Sequence, residues 1–495
     1  MSKTVKELFK GLDCTILGND QEVVEGLAYR SDKVSSQDAF FCIVGFKSDG
    51  HSFAQDAINR GAKVLVVERK VYLADATDVV EVVVSDTRKA LAHAAANFYD
   101  HPSAAFNLVG ITGTNGKTTC SYLVEHIARF AGYDTGVIGT VGVRIKDEKE
   151  PSNNTTPESF DLQEIFSRMR AAQVQITSTE VSSHALDLER VWGTNFAVTA
   201  FTNLTQDHLD YHKSFDAYFE AKARLFSKDY PAKRVITIDD AYGKELLRRV
   251  SQAQESVISV GFDPSAQIHP LSVEYHLNST RLELDVRGER HILKYPLVGK
   301  FNVSNVMLSF ACALQLGIPV HTIISALECA AQVPGRLQAV QSDHAAEWSI
   351  YVDYAHTPDA LIKAIQSLKN ISSARTIVVF GCGGDRDASK RPLMGQAALM
   401  GDVVIVTSDN PRSEDPQDII QDILSGMKEG MDRVHVEPDR RLAIKKACEI
   451  AQPGDLVLIA GKGHEDYQII GDVRLDFDDT RVAQEILAEM HKNSL

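Results

Sequence analysis

Gly110-Ile111-Thr112-Gly113-Thr114-Asn115-Gly116-Lys117-Thr118-Thr119 is the stretch on which the reading of this chain turns. Residues 106–112 form an apolar, β-branched run leading into it. A helix is predicted beyond it, because Cys120, Leu123, Val124, Ile127, Ala128 and Ala131 recur at i, i+3, i+4 and i+7. Gly132 supplies a stop. Strand, glycine loop, Lys-Thr and helix is the arrangement that cradles a nucleotide's phosphates. Backbone N–H groups at the helix start and the lysine ammonium face the anion, and a hydroxyl reaches Mg²⁺. The strict spacing asks for glycine where Ile111 stands. The alternative is a glycine-rich turn with an incidental lysine, which also requires both flanking periodicities to be coincidence. An ATP or GTP site is expected.

At 495 residues the chain is too long for one ordinary core, and about three domains are expected. A composition of 44% apolar and 24% charged residues is that of a globular protein. The net charge of −15 argues against a general nucleic-acid or membrane surface. An anionic ligand must then be met by local Arg, Lys and backbone N–H groups. Seven scattered cysteines form no C-x-x-C pair and read as small buried apolar residues of a reduced compartment. No stretch nears the ~20 apolar residues that span a bilayer, and a cytoplasmic location is expected.

The chain divides by pattern into residues 1–101, 102–333 and 334–495, each α/β. In the first unit, 40–44 and 63–67 read as short strands around a helix at 54–60. Its polar segment Phe46-Lys47-Ser48-Asp49-Gly50-His51 is either a ligand loop or an ordinary turn. The second unit carries apolar runs at 106–112, 135–139, 175–179, 197–202 and 234–238, most separated by helical patterns. Such alternation predicts a mainly parallel sheet covered on both faces. Residues 257–261 and 279–286 alternate more like antiparallel strands, and 302–316 reads as a buried helix. Val333-Pro334-Gly335-Arg336 punctuates the chain. The third unit has strand candidates at 348–352, 375–380, 403–407 and 456–460. Polar or glycine-rich loops follow them, and ligands of an open parallel sheet bind at the carboxyl ends of its strands.

Several groups of residues carry chemistry. Glu180 ends an apolar run beside the phosphate loop, where it either holds Mg²⁺ together with Thr118 or is a solvated carboxylate. Asp207-His208-Leu209-Asp210-Tyr211-His212 lacks a tetrahedral zinc set, leaving a magnesium contact through one histidine or a plain polar loop. Lys222 shares a helical stripe with Tyr218, Phe219, Leu225 and Phe226. It either snorkels or is a desolvated amine of depressed pKa. Asp409-Asn410-Pro411-Arg412 sets a guanidinium on a rigid loop, and Arg386 offers a second fork. With Glu465 these suit a zwitterionic, amino-acid-like ligand; the alternative is surface charge on separate loops.

The chain resembles the Mur ligases, the ATP-dependent ligases that build the peptide stem of peptidoglycan, and among them the branch that adds the third residue. The motifs that carry the resemblance run nearly end to end: Gly113-Thr-Asn-Gly-Lys-Thr-Thr119, Asn154-Thr-Thr-Pro157, Glu180-Val-Ser-Ser-His184, Asp207-His-Leu-Asp-Tyr-His212, Pro334-Gly-Arg336, Asp353-Tyr-Ala-His356, Gly381-Cys-Gly-Gly-Asp-Arg386, Asp409-Asn-Pro-Arg412 and Gly461-Lys-Gly-His-Glu465. The resemblance implies a UDP-binding first domain, a central ATPase domain and a Rossmann-like third domain for the incoming amino acid. It implies catalytic roles for Lys117, His208 and a carbamylated Lys222, with Mg²⁺ held by Thr118, Glu180, His208 and that carbamate. ATP would meet Gly113, Thr114, Asn115, Gly116, Lys117, Thr118, Thr119, Asn302, Arg336 and Asp353. Ser31, Phe46, Lys47 and Ser48 would contact the UDP portion of UDP-N-acetylmuramoyl-dipeptide, and Asn154, Thr155, Thr156, Ser182 and Arg190 its muramoyl-dipeptide.

Family members with Asp-Asn-Pro-Arg at the third-domain loop add meso-diaminopimelate; lysine-adding members usually differ after Asn-Pro. The resemblance thus assigns Arg386, Asp409, Asn410, Pro411, Arg412, Gly461 and Glu465 to diaminopimelate. Its extra carboxylate should disfavour lysine by ~2–5 kcal/mol, the scale of a broken buried charge pair. A monomer acting on small molecules, through an acyl phosphate, is implied. Two positions depart from the family pattern: Arg30-Ser31-Asp32 exchanges the charges of Asp-Ser-Arg, and Leu188 replaces a glutamine. The Asp409-Asn-Pro-Arg412 loop and a separate first domain disfavour folylpolyglutamate synthetase, and a phosphate-loop switch without ligase chemistry would leave the two arginine-bearing loops of the third domain without a role.

Overall fold

Three sheets, each between its own apolar layers, follow one another along the chain in the computed structural model. It describes residues 1–46, 48–71, 78–152, 154–207, 209–253, 256–341 and 347–493. The first sheet has five strands in the order Cys14–Leu17, Val80–Val84, Val64–Val67, Asp38–Phe41, Gly26–Ala28, parallel except at its Cys14–Leu17 edge.

The second has eleven strands, and its centre explains the continuous apolar runs. Leu108 packs into the layer on one face, while Val109 and Ile111 pack into different company on the other. Successive side chains of a strand alternate between faces, so a sheet covered on both sides needs apolar residues at every position. Strand Asn107–Thr112 lies between Ile176–Glu180 and Val198–Phe201, parallel to both, with Glu180 opposite Ile111 and Phe201 opposite Thr112. The loops leaving these three strands therefore emerge side by side at one edge.

Helix Lys117–Phe130 follows the phosphate loop and buries Cys120, Leu123, Val124, Ile127 and Ala128, the predicted stripe. It packs against Lys300–Gln315, which starts two residues before the predicted helix, after Gly299. Two expectations need correction. Strand Val257–Val260 pairs parallel with Lys233–Thr237 and with Ile268–His276; only from Ile268–His276 onward does the sheet turn antiparallel. Both of its faces are covered, Ile258 and Val260 on one and Val257 on the other, and burial carries no information about strand direction. Cys329 is exposed, unlike the buried Cys42, Cys120, Cys312, Cys382 and Cys448.

The third sheet runs Gln338–Ala339, Ser349–Asp353, Leu456–Ala460, Thr376–Phe380, Val403–Val406, Val434–Val436, parallel after the first pair. Asp353, Ala460, Phe380 and Val406 end their strands at the same edge. Among the described residues, no helix is long and apolar enough to cross a membrane.

Candidate active site

The phosphate loop is shaped by two glycines in left-handed backbone, Gly113 (φ +146°) and Gly116 (φ +88°). A Cβ on Gly113 would collide with the Thr202 hydroxyl, and one on Gly116 with Asn305 Oδ1. The loop is braced from the neighbouring strand end: Asn203 Oδ1 accepts from Asn115 N (3.0 Å), and Thr202 Oγ1 donates to Asn115 O (2.6 Å). The N-cap residue, Gly116, has no side chain to cap helix Lys117–Phe130, which leaves the first N–H groups and the positive end of the helix dipole available to an anion. Lys117 Nζ donates to Gly113 O (3.0 Å) and Thr114 O (2.8 Å). Burial pushes its pKa down, opposed by Glu180 and Asp207.

Beside the loop, Thr118 Oγ1 donates to Glu180 Oε2 (3.0 Å), and Thr140 N donates to Glu180 Oε1 (2.8 Å). A fully buried carboxylate next to a hydroxyl is a two-oxygen donor set of the kind that suits Mg²⁺, which takes its other ligands from phosphate and water. Lys222 is buried at 1% exposure in helix Phe215–Ala223. Its Nζ donates to Gly113 O (2.8 Å) and sits 4.5 Å above the Tyr218 ring. Burial first, and Lys117 second, push its pKa well below the usual lysine range, while Asp207 pulls the other way. The helical stripe thus holds a desolvated amine; this lysine does not snorkel.

The third sheet reaches this site through Arg336, whose Nη2 donates to Thr118 Oγ1 (3.0 Å) and whose guanidinium lies 5.0 Å above the Tyr354 ring. Gly335 makes this possible: at φ +63° its missing side chain leaves room for the backbone of Gly463 and His464. Asp353 anchors the same turn, accepting from Leu337 N (2.7 Å) and Ala355 N (2.9 Å). Burial raises its carboxyl to about 6, against the pull of Arg336.

A second line of contacts leads from the loop to the first sheet. Thr156 Oγ1 donates to Glu180 O (2.8 Å) and accepts from Ser182 N (3.1 Å). Arg190 Nη1 donates to Thr156 O (2.9 Å), and its Nη2 pairs with Glu158 (2.6 Å). Glu158 lines a cavity of about 330 Å³ together with Tyr29, Ser31, Ser48, Phe53 and Arg88. Arg30 and Asp32, the exchanged charges, pair with each other through two hydrogen bonds (3.1 and 2.8 Å) beside Ser31.

At the same edge of the third sheet, Asn410 Nδ2 donates both to Asp409 Oδ1 and to Glu465 Oε2, each at 2.9 Å. Arg412 (φ +52°) places Nη1 on Gly384 O (2.6 Å), next to Gly383 and the Arg386 stem. Gly461 (φ +114°) must lack a side chain, because a Cβ would sit 2.7 Å from Asp409 Oδ2. Burial and Asp409 raise the Glu465 pKa, opposed by Lys462 and Asn410.

Family models match along the chain. The Mur ligase middle domain covers residues 111–313, the Mur ligase, glutamate ligase domain 335–463, and the Mur ligase family, catalytic domain 23–99. The UDP-N-acetylmuramoyl-L-alanyl-D-glutamate–2,6-diaminopimelate ligase of Clostridium botulinum is 40% identical over 485 residues, 98% of this chain and 99% of its own. The chain belongs to the Mur ligase family. The Aquifex aeolicus ligase of the same name is 42% identical over 465 residues, 94% of each chain. A solved UDP-N-acetylmuramoyl-L-alanyl-D-glutamate–2,6-diaminopimelate ligase superposes over 99% of this chain and 100% of its own, at TM-score 0.72 and 34% identity.

In this Mur ligase the residues singled out from sequence fall into three contact groups: the phosphate loop with Glu180, Lys222, Arg336 and Asp353; Ser31 and Ser48 with Thr156, Ser182 and Arg190; and the loops of Arg386, Arg412 and Glu465. Thr155 meets Thr140 (3.1 Å), which itself bonds Glu180 of the first group, and Asn154 neighbours Thr155 in the chain. Phe46 is exposed, with its ring 5.6 Å from that of Tyr211. Lys47 and His208 lie outside the described residues. Asn302 is buried behind the loop, bonded to Val298 O (2.8 Å) and Asn305 (3.1 Å). Thr202, Asn203, Asn305 and Thr140 escaped sequence reasoning. For Thr202 and Asn203 a signal existed, since Thr202 closes the apolar strand candidate at 197–202 and Asn203 follows it directly; Asn305 lies in the middle of a helix.

Proposed function

We propose that this Mur ligase joins meso-diaminopimelate to UDP-N-acetylmuramoyl-L-alanyl-D-glutamate with ATP, releasing ADP and phosphate, in the cytoplasmic synthesis of peptidoglycan precursor. The observation that carries the reading is the third-domain loop cluster, where Asn410 bonds both Asp409 and Glu465 while Arg412 of the same loop bonds Gly384 of the loop that bears Arg386. A ligand with carboxylates and amines at both ends suits such a set of charges, and the names of the relatives agree with it. The division is at residues 101/102 and 333/334, and the enzyme acts as a monomer on small molecules.

The nucleotide-sugar spans from the cavity at Ser31 and Ser48, past Arg190 and Thr156, to Glu180, a path supported by the continuous contacts between them. Its terminal glutamate carboxylate attacks the γ-phosphorus of ATP; the bond to ADP breaks and an acyl phosphate forms. Lys117 and Arg336 carry the positive charge that steadies the transferring phosphoryl group. A neutral amine of diaminopimelate then attacks the acyl carbon, phosphate leaves, and the amine proton passes to solvent or phosphate. Arg412 and Arg386 hold carboxylates, while Glu465 and Asp409, with Gly461, receive the remote end.

Thr118 and Glu180 would hold Mg²⁺, with His208 and the carbamate of Lys222 as further ligands. When bound, the ion neutralises charge on the phosphate oxygens. Lys222 suits carbamylation because its buried amine is held towards the neutral form that adds to CO₂, losing one proton as N–C forms. Closure of the domains keeps water from the acyl phosphate.

Mass spectrometry of the product formed from competing diaminopimelate and lysine tests the reading. Diaminopimelate product and strict dependence of ADP release on the nucleotide-sugar are expected; preferred lysine incorporation, or equal turnover without the nucleotide-sugar, would overturn it.

A further inference from the structure

Lys462 is unusual among these loops. Its side chain is at 0% exposure, yet it carries a formal charge. Its Nζ donates to the Tyr467 carbonyl, lies 3.4 Å from Glu465 Oε2 and stands 5.3 Å from the Tyr467 ring centroid. The Glu465 backbone N–H donates to Lys462 O (3.0 Å), so a single turn fixes both ends of the pair. Glu465 Oε2 thus meets two donors, Lys462 and Asn410, while Oε1 accepts from none of the described residues. The other buried cation nearby, Arg440, is already balanced by Asp479 through two bonds of 2.7 Å. Asp409, whose Oδ1 takes the same Asn410 amide, adds a like charge that works against an ionised Glu465. Burying a lysine costs several kcal/mol unless its charge is answered. The charge answered here is that of Glu465.

From this arrangement we infer that Lys462 is a positioning residue of the amino-acid site: its ammonium holds one oxygen of Glu465 and leaves the other turned to a ligand's distal ammonium. The inference deepens the proposed function and rests on it. Lys462 touches no reacting atom; it selects diamino acids by holding the carboxylate that reads the second amine.

The test is a comparison of Lys462→Met and Lys462→Gln with the intact enzyme, varying diaminopimelate at saturating ATP and nucleotide-sugar, and then varying ATP. Turnover by the intact chain is measured first, with diaminopimelate and with lysine. If neither is joined, the proposed function fails and the inference falls with it; if only lysine is joined, the same comparison is made with lysine. Both variants should raise KM for the amino acid about tenfold or more, the scale of a lost charged hydrogen bond. Both should leave kcat and KM for ATP within about twofold. On a Glu465→Gln background the same change should add less than about twofold. 2-Aminopimelate, which lacks the second amine, should be affected equally little. Lys462→Gln keeps a donor for the Tyr467 carbonyl, so it reports on the charge should Lys462→Met not fold. An equal rise in KM for ATP, an undiminished effect on the Glu465→Gln background, or an unchanged KM for the amino acid would overturn the inference.

Discussion

Arg336 and Thr118 meet across the cleft, with Nη2 3.0 Å from Oγ1, although 218 positions separate them in the chain. The same hydroxyl lies 3.0 Å from Glu180. Third-domain cation, phosphate-loop hydroxyl and strand-end carboxylate therefore form one continuous contact, and under the proposed function the nucleotide site is shared by two domains. Arg336→Ala should lower kcat by about 10²-fold, the scale of a lost transition-state donor, and raise KM for ATP. Steady-state kinetics with ATP varied would check it; unchanged kcat would remove Arg336 from the phosphoryl-transfer step.

Lys222 answers to a different measurement. In ¹³C-bicarbonate the intact enzyme should show a carbamate carbonyl signal by NMR that Lys222→Ala lacks, and the variant should lose about 10²-fold or more in kcat. A signal retained in the variant would mean that the carbamate sits elsewhere.

Asp353 links stability to pH. Its folded carboxyl titrates at about 6, above the ordinary aspartate value of 3.8, so between these values the folded state binds more protons than the unfolded one. Its contribution is complete below about pH 3.8 and is lost as pH rises through about 6. Asp353→Asn removes this titration together with one of the two oxygens that accept from Leu337 N and Ala355 N. The stability gap between the intact enzyme and the variant should therefore narrow by about 2–3 kcal/mol from pH 4 to pH 8. Denaturant unfolding at both pH values measures it, and a constant gap would contradict the assignment.

Arg412→Ala should separate amino-acid recognition from nucleotide binding. Its Nη1 holds Gly384 O, while Nε and Nη2 take no partner among the described residues and are available to a carboxylate. Diaminopimelate incorporation should fall by at least about tenfold relative to lysine, with KM for ATP little changed. Equal losses with both amino acids would assign Arg412 to loop structure alone.

The pair Arg440–Asp479, both side chains at 0% exposure, ties the helix Arg440–Ile450 to the last helix, and Arg440 Nη2 also holds Ala460 O (3.1 Å) just before Gly461. Asp479→Ala strands a buried guanidinium and should cost about 3–5 kcal/mol of stability. A loss below about 1 kcal/mol would show that the pair is replaceable.

How much of this was legible differs by element. The run before Gly113 and the stripe from Cys120 to Ala128 announced strand and helix because each repeats a burial pattern over many residues. Strands Gly142–Ile145, Glu148–Glu150 and Glu289–Tyr295 were not legible: they are short or largely exposed, and edge positions need no apolar run. Strand Ile268–His276 hides behind Pro270 and a register shift between Pro270 and Ser272.

The sequence by itself determined the long buried strands and helices, the phosphate loop and the identities of the charged groups, because periodicity, glycine and residue type are local properties of the chain. Only the tertiary structure decided which of those groups face one another. That Lys222 is desolvated, that Asp353 titrates near 6 and that Lys462 answers Glu465 follow from parallel strands ending at a shared edge and from two domains closing on one loop. Burial and the distance between charges are sums over residues far apart in the chain, and no local pattern encodes them.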